Sequence, residues 1–455
     1  MLFFKILPAS FVILFLLAFI MPGRAQEYNA YLNTSYSYEE EKALYSFGSK
    51  AHTSVRPMTY HEIDGFIRLD SLHRQESMKN PYRSKFWQGV YGRVFNDHLI
   101  DIRKKDFSFQ MDPLVNFEAG RESGRDRWDY VNTRGFQIRG TIGKQVAFYT
   151  SFYENQASFP GYIDDYIKKH GVVPGQGRPR GFGKEGYDFA MSGGYVSYTP
   201  SKYFNFQFGT GKNFWGDGYR SLILSDNSFN YPFLKITTEF WRIKYVNLYA
   251  QFMDYKVPYS PELGYQRKYA SMHYLSINIS KRVNLSLFEA IIWEAQDSTG
   301  HRGFDIAYLN PVIFYRPVEF SIGSPDNALL GANLSVKIGK QNVAYGQLLL
   351  DEFKFKEVTA GNGWWANKQA FQIGFKAFDA LGFENLFAQI EYNYIRPIPM
   401  PTVSPCRHTG ITDSPWPTPW APIPWNCWDV SSITTNDFTW ITKSCLLYME
   451  KMRMD

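Results

Sequence analysis

The chain has 455 residues, with 49 Lys and Arg against 43 Asp and Glu, for a formal net charge of +6. That excess is too small, and its cations too scattered, for a nucleic-acid-binding protein. Mean hydropathy is −0.34, and the one long apolar run lies at the N-terminus, which excludes a bundle of membrane-spanning helices.

In chain order, Lys5, the apolar run Ile6 to Ile20 and the small-residue site Gly23-Arg24-Ala25 predict a cleaved secretory signal over residues 1–25. No Cys follows the site, so a lipid-anchored N-terminus is not expected. Residues 26–54 form a polar N-terminal segment with the acidic run Glu39-Glu40-Glu41. Residues 55–105 predict a small helical element. Apolar spacings of three and four recur across Met58–Asp64, Asp64–Leu72 and Phe86–Val94. Arriving from the periplasmic side, this element is expected in the periplasm.

Over residues 106–398 the period changes to two. Tyr203-Phe204-Asn205-Phe206-Gln207-Phe208 alternates apolar and polar side chains, as do Leu275–Ser280, Val283–Leu287 and Phe371–Ala377. Successive strand side chains face opposite ways, so one face is apolar and the other polar. A soluble β-sandwich would alternate too. Three features predict instead an all-β, transmembrane antiparallel β-barrel. Segments run about ten residues, the length a tilted strand needs to cross hydrocarbon. The polar face carries charge, at Arg139, Lys376 and Glu391, which a packed core would not accept. Aromatic residues make up 18% of the chain, and Tyr and Trp gather near strand ends as interface girdles.

About thirteen strands are predicted, near 107–118, 132–142, 145–154, 187–199, 203–213, 233–241, 245–256, 268–280, 283–294, 328–338, 342–353, 368–378 and 384–395. Short turns such as Gly143-Lys144, Lys281-Arg282 and Gly339-Lys340 alternate with long loops, as outer-membrane barrels require. The alternation holds if Asn310–Asn327 is loop, which Pro311, Pro317 and Pro325 favour; Pro311–Phe320 reads as a short helix. An odd number of strands leaves the barrel incomplete at its C-terminal side.

Residues 399–455 differ from all that precede. Nine of the 24 prolines fall between Pro397 and Pro424, and all three cysteines, Cys406, Cys427 and Cys445, lie here. Their number and spacing fit no disulfide or zinc framework. No alternating segment is read, and the tail is expected to be aberrant, as a frameshifted reading of the coding sequence would be.

Candidate function lies in the loops. Asn213–Asp226 combines glycines with aromatic plates at Trp215 and Tyr219 and polar groups at Asp217, Arg220 and Asp226. Such a mixture suits a sugar, with apolar faces and a hydroxyl rim; the alternative is an inward-folded loop held by an Arg–Asp pair. Arg316, Asp326 and Asn327 form a second polar group, and Asp351-Glu352 a third. Adjacent carboxylates on a strand point to opposite faces, against glycosidase chemistry. Loop 155–186 is basic at Lys168, Lys169, Arg178, Arg180 and Lys184, a composition suited to lipopolysaccharide phosphates or acidic polysaccharide. No metalloprotease, hydrolase-elbow or phosphate-loop pattern occurs, so no cofactor, metal or enzymatic activity is expected.

Several stretches together resemble the Wzi-like capsule assembly proteins, and in particular a Bacteroidota branch that includes the gliding motility protein RemB. They are Trp215–Leu222 with Ser225-Asp226, Gly323–Asn327, Tyr345-Gly346-Gln347 with Asp351-Glu352-Phe353, Ala51–Pro57, Pro174–Arg178 and Glu391–Pro397. The resemblance implies a non-enzymatic outer-membrane barrel that binds surface or capsular polysaccharide, or that serves gliding and adhesion machinery. A passive channel for small solutes is the alternative. An outer-membrane hydrolase using Asp351 and Glu352 is a third reading, and a TonB-dependent receptor is excluded by strand number.

Overall fold

The computed structural model describes residues 28–30, 32, 38–64, 98–254, 264–297, 300–314, 326–351, 368–384, 386–395, 427–435, 438–440 and 444–445. The signal segment, most of the expected helical element and residues 396–426 lie outside them. The alternating segments are strands. The chain runs through helix α1 (Tyr38–Tyr45), β1 (Val55–Arg56), α2 (Tyr60–Asp64), β2 (Ile100–Lys104), β3 (Phe107–Gly120), β4 (Asp129–Ile142) and β5 (Val146–Ser158). Then come α3 (Gly161–His170), β6 (Arg180–Phe182), β7 (Gly186–Ser201), β8 (Phe204–Gly211), β9 (Phe214–Trp215), β10 (Tyr231–Phe240), β11 (Ile243–Asp254), β12 (Gln266–Asn278) and β13 (Val283–Glu294). After β14 (Gln296–Asp297) and β15 (Gly300–His301) follow β16 (Asn327–Ile338), β17 (Asn342–Asp351), β18 (Lys368–Ala377), β19 (Phe387–Ile395) and β20 (Cys427–Thr435). Among the described residues no helix is long and apolar enough to cross a membrane. The protein is all-β and antiparallel.

The chain divides into two compact units. The first comprises Thr59–Gly211 and Pro232–Trp241 with the chain up to Ala30. Its strands pair in sequence, β2 with β3, then β4, β5, β7 and β8. Register sets the faces. Gln110 stands opposite Arg139, which stands opposite Tyr149, and Arg139 Nε donates to Gln110 Oε1 at 2.8 Å. The opposite face carries Val115, Phe117, Val196 and Phe208, with Phe117 72% and Phe208 70% exposed.

The second unit comprises Tyr31–Met58, Lys212–Tyr231 and the chain from Arg242. Here β11, β12, β13, β16, β17, β18 and β19 pair as neighbours. One face presents Asn333, Ser335, Gln347, Gln372, Lys376 and Glu391, all buried, while Leu334, Leu348, Ile373 and Ile390 on the other are exposed. In both units, then, the apolar face is open; the polar face is enclosed in the second unit and only partly covered in the first. In water each exposed large apolar side chain forgoes about 1.5–3 kcal/mol of burial; a soluble sheet is arranged the other way round.

Several expectations need correction. The segment expected to be helical through residue 105 ends in strand β2, because Ile100–Lys104 pairs with Phe107–Met111 in a hairpin. Val55–Arg56 is also a strand, paired with Phe214–Trp215. The loop 155–186 contains α3, whose Ile167, with Val173 just beyond it, packs on Ala157 and Phe189; Glu122 accepts the Gly161 N–H at 2.9 Å at its N-terminus, where a carboxylate is favoured. Of the Pro311–Phe320 stretch, residues 315–320 lie outside the described residues; 313–314 is a turn, and a 3-10 helix precedes the stretch at Ile306–Leu309, capped by Asp305. In the tail, β20 pairs with β19 where no strand was expected; the open edge of β19 offers it backbone donors and acceptors.

Candidate functional site

The polar face of the second unit is covered by two segments of its own chain, residues 41–58 and the loop 212–230. Buried polar side chains must find partners, and here they find them in those segments. Lys337 donates to the carbonyls of Leu44, Ser46 and Ser49, the last at 2.9 Å. These carbonyls lie in and just after the last turn of α1, where a cation is favoured. Asn278 Nδ2 donates to the Lys50 carbonyl at 2.8 Å. Ser54 Oγ meets Ser286 Oγ at 3.3 Å.

Asp217 is the centre. Its side chain is wholly buried. Oδ1 accepts from Tyr45 Oη at 2.9 Å and from Thr53 Oγ1 at 2.7 Å, and Oδ2 accepts from Asn333 Nδ2 at 2.9 Å. One carboxylate thus joins the N-terminal segment, the inward loop and strand β16. Beside it, Arg56 forms a 2.7 Å ion pair with Glu41 and donates to Tyr45 Oη at 3.1 Å. Lys376 lies 3.5 Å from Glu41 and 4.7 Å above the Tyr45 ring. Nearby negative charge holds the Arg56 guanidinium above its ordinary value despite burial.

The loop presses on the sheet through its backbone. Glu391 accepts from the Tyr219 N–H at 2.9 Å, and Gln347 Oε1 from the Leu222 N–H at 2.8 Å. Gln372 Nε2 donates to the Arg220 carbonyl at 3.0 Å. Gly216 has φ +151°, and a Cβ on Gly216 or Gly218 would overlap the ends of Gln347 or Glu391. Only glycine lets the backbone come this close.

The sequence-predicted residues fare differently. Trp215 is fully buried, its ring packed on Tyr274 at 5.1 Å and edge-on to Phe288 at 6.0 Å, so its faces are spent on neighbours rather than open to a sugar. Asp217 does not pair with Arg220; Arg220 donates to Asn227 Oδ1 at 2.6 Å and stacks 4.6 Å over the Tyr219 ring. That Tyr219–Arg220 pair remains accessible, with Tyr219 38% exposed. Asp226 is half-buried and acts electrostatically on Lys212. Asp326 is tied to Arg302 and to Tyr308 Oη at 2.6 Å, a loop brace, and Asn327 is buried at the start of β16. Asp351 is fully buried at the end of β17; Arg316 and Glu352 lie outside the described residues. In the first unit, Lys168 pairs with Asp164 at 2.8 Å, while Lys169, Arg178, Arg180 and Lys184 are exposed. Among the described residues no group of His, Cys, Asp and Glu is placed to hold a metal. The sequence reading missed Tyr45, Thr53, His52 and Glu41; the cluster of small polar residues in Ala51–Ser54 was the signal available.

His52 gives this site a pH dependence. Its Nδ1 meets Ser276 Oγ at 2.8 Å and its Nε2 meets the Asn278 amide at 3.2 Å, which suits a neutral ring. Burial, and then Lys244, lower its pKa to about 3. Undocked, it would titrate near 6.5, so protonation favours the undocked state. Docking is complete above about pH 6.5 and weakens as pH falls toward 3, by about 30-fold or ~2 kcal/mol at pH 5. Hydrogen exchange of residues 50–56, corrected for intrinsic rates, should show it, and His52→Gln should abolish it.

No family model matches the chain, and no curated protein matches it. Among solved structures, Pseudomonas aeruginosa OccK9 (OpdG) aligns at 10% identity over 66% of this chain and 84% of its own, with a TM-score of 0.34. Pseudomonas aeruginosa OpdK with vanillate gives 10%, 65%, 84% and 0.33. Salmonella typhi OmpF in complex with daunomycin gives 8%, 66%, 94% and 0.27. Likenesses of this size carry no argument about fold or function.

Proposed function

We propose that the chain is an outer-membrane β-barrel protein that passes small solutes along a narrowed polar path and performs no bond chemistry. The carrying observation is the partition of the long strands, with exposed apolar residues on one face and polar and charged residues on the other, enclosed in the second unit. Lipid is the surrounding that such an apolar face matches. In the first unit the polar face is partly open, with Asn116 and Glu118 exposed; in the second it is covered, which fits restricted rather than free passage.

Binding of surface or capsular polysaccharide is the second reading. It rests on the resemblance to Wzi-like proteins and is favoured by one feature, the accessible Tyr219–Arg220 stack, which offers a ring face and a hydrogen-bonding fork. Planar-bilayer recording of the purified chain separates the two. The channel reading expects small, steady conductance that is indifferent to the organism's surface polysaccharide. A closed protein that retains polysaccharide, and loses it in Tyr219→Ala and Arg220→Ala, would replace it with the second.

A further inference from the structure

The two edges of the first unit's sheet differ in charge. In the first unit, register aligns the β2–β3, β4–β5 and β7–β8 turns on one edge, with Phe107 opposite Ile142, Ile142 opposite Val146 and Val146 opposite Tyr198. Those turns carry Lys104, Lys105, Lys144 and Lys202 against a single acid, Asp106, and all five residues are exposed. The loops of the opposite edge, over 118–129 and 161–188, carry eight cations and eight acids, so that edge is balanced. The turns of the second unit are cationic as well. Arg242, Lys281, Arg282 and Lys340 are exposed at its turns, and of the two acids there, Asp379 is held by Lys42 at 2.7 Å.

Apolar side chains ring the same edges. Phe107 and Ile142 in the first unit, and Ile279, Ile338 and Phe383 in the second, are exposed. Apolar groups one step behind a line of ammonium heads are the arrangement of a surface lying at a lipid headgroup layer, with acyl chains beside the strands and phosphates beside the turns.

We propose that the turn edge of each unit seats on the phosphates of anionic phospholipid headgroups. This rests on the outer-membrane reading and adds to it a lipid class and a leaflet, the one facing the turns. The test uses the full chain in vesicles of phosphatidylcholine mixed with phosphatidylglycerol, one or other lipid brominated in its acyl chains, with quenching of tryptophan fluorescence reporting local enrichment. Phosphatidylglycerol should be enriched about threefold or more around the protein. The preference should fall to about one in the quadruple variant Lys144→Gln, Lys202→Gln, Lys281→Gln, Lys340→Gln, and survive when the same four become Arg. Equal quenching by both lipids, or a preference that survives in the Gln variant, overturns the proposal. Its abolition by excess inorganic phosphate at constant ionic strength would reassign the turns to free phosphate. A chain that enters neither vesicle overturns the outer-membrane reading together with this one, whereas insertion without preference overturns this one alone.

Discussion

Asp217→Ala is expected to release the N-terminal segment from the sheet. Three donors, Tyr45 Oη, Thr53 Oγ1 and Asn333 Nδ2, lose their acceptor at once, and none reaches water in the folded chain because Tyr45, Thr53 and Asn333 are buried. Removing one partner from a buried charged network costs about 3–5 kcal/mol, far more than the network adds over an apolar replacement. The loss falls where residues 41–58 meet the loop 212–230, so the strands should persist while the segment becomes cleavable near Lys50, which is already exposed. Urea unfolding in detergent together with limited proteolysis reads both. Asp217→Asn keeps Oδ1 for Tyr45 and Thr53 and should cost less; no loss in either variant would mean that Asp217 is not the tie.

Phe208→Arg and Ile373→Arg carry the second large effect. Phe208 belongs to the first unit and Ile373 to the second, and both stand exposed on the apolar face. On a soluble protein, replacing an exposed apolar side chain changes stability by about 0.5 kcal/mol or less. Facing hydrocarbon, an arginine near mid-bilayer costs about 2–4 kcal/mol. Asn116→Arg, one position along β3 from Val115 and on the opposite face, is the control and should be nearly neutral. Denaturant titration in lipid vesicles distinguishes the outcomes, and equal tolerance at all three positions would remove lipid from the account.

The strands were legible because period-two alternation is a local signal that the fold leaves intact. All thirteen expected segments are strands, with ends displaced by a few residues. Alternation also revealed that Arg139 lies on the polar face of the first unit's strands and Lys376 and Glu391 on that of the second's. What escaped were pairings that depend on distant chain. Ile100–Lys104 alternates over only four residues, Ile100-Asp101-Ile102-Arg103, too short a run to stand out, and becomes a strand through β3. The Trp215–Arg220 stretch stood out in the sequence, but its composition suits a ligand and an inward fold equally. Only the positions of Tyr45, Thr53 and Glu391, 172, 164 and 172 residues away from their loop partners, decide that Trp215 and Asp217 are packed inside while Tyr219 and Arg220 stay accessible. The N-terminal segment was legible as polar, and its polarity is now explained by what it covers.

The most direct measurement is spin-label accessibility along β3 in lipid vesicles. Single cysteines at residues 115, 116, 117 and 118, in a chain whose own three cysteines are replaced by serine, would carry the label. The account predicts high oxygen and low nickel-chelate accessibility at 115 and 117, where Val115 and Phe117 face outward, and the reverse at 116 and 118. Equal access of the aqueous chelate to all four positions would contradict a membrane-facing sheet.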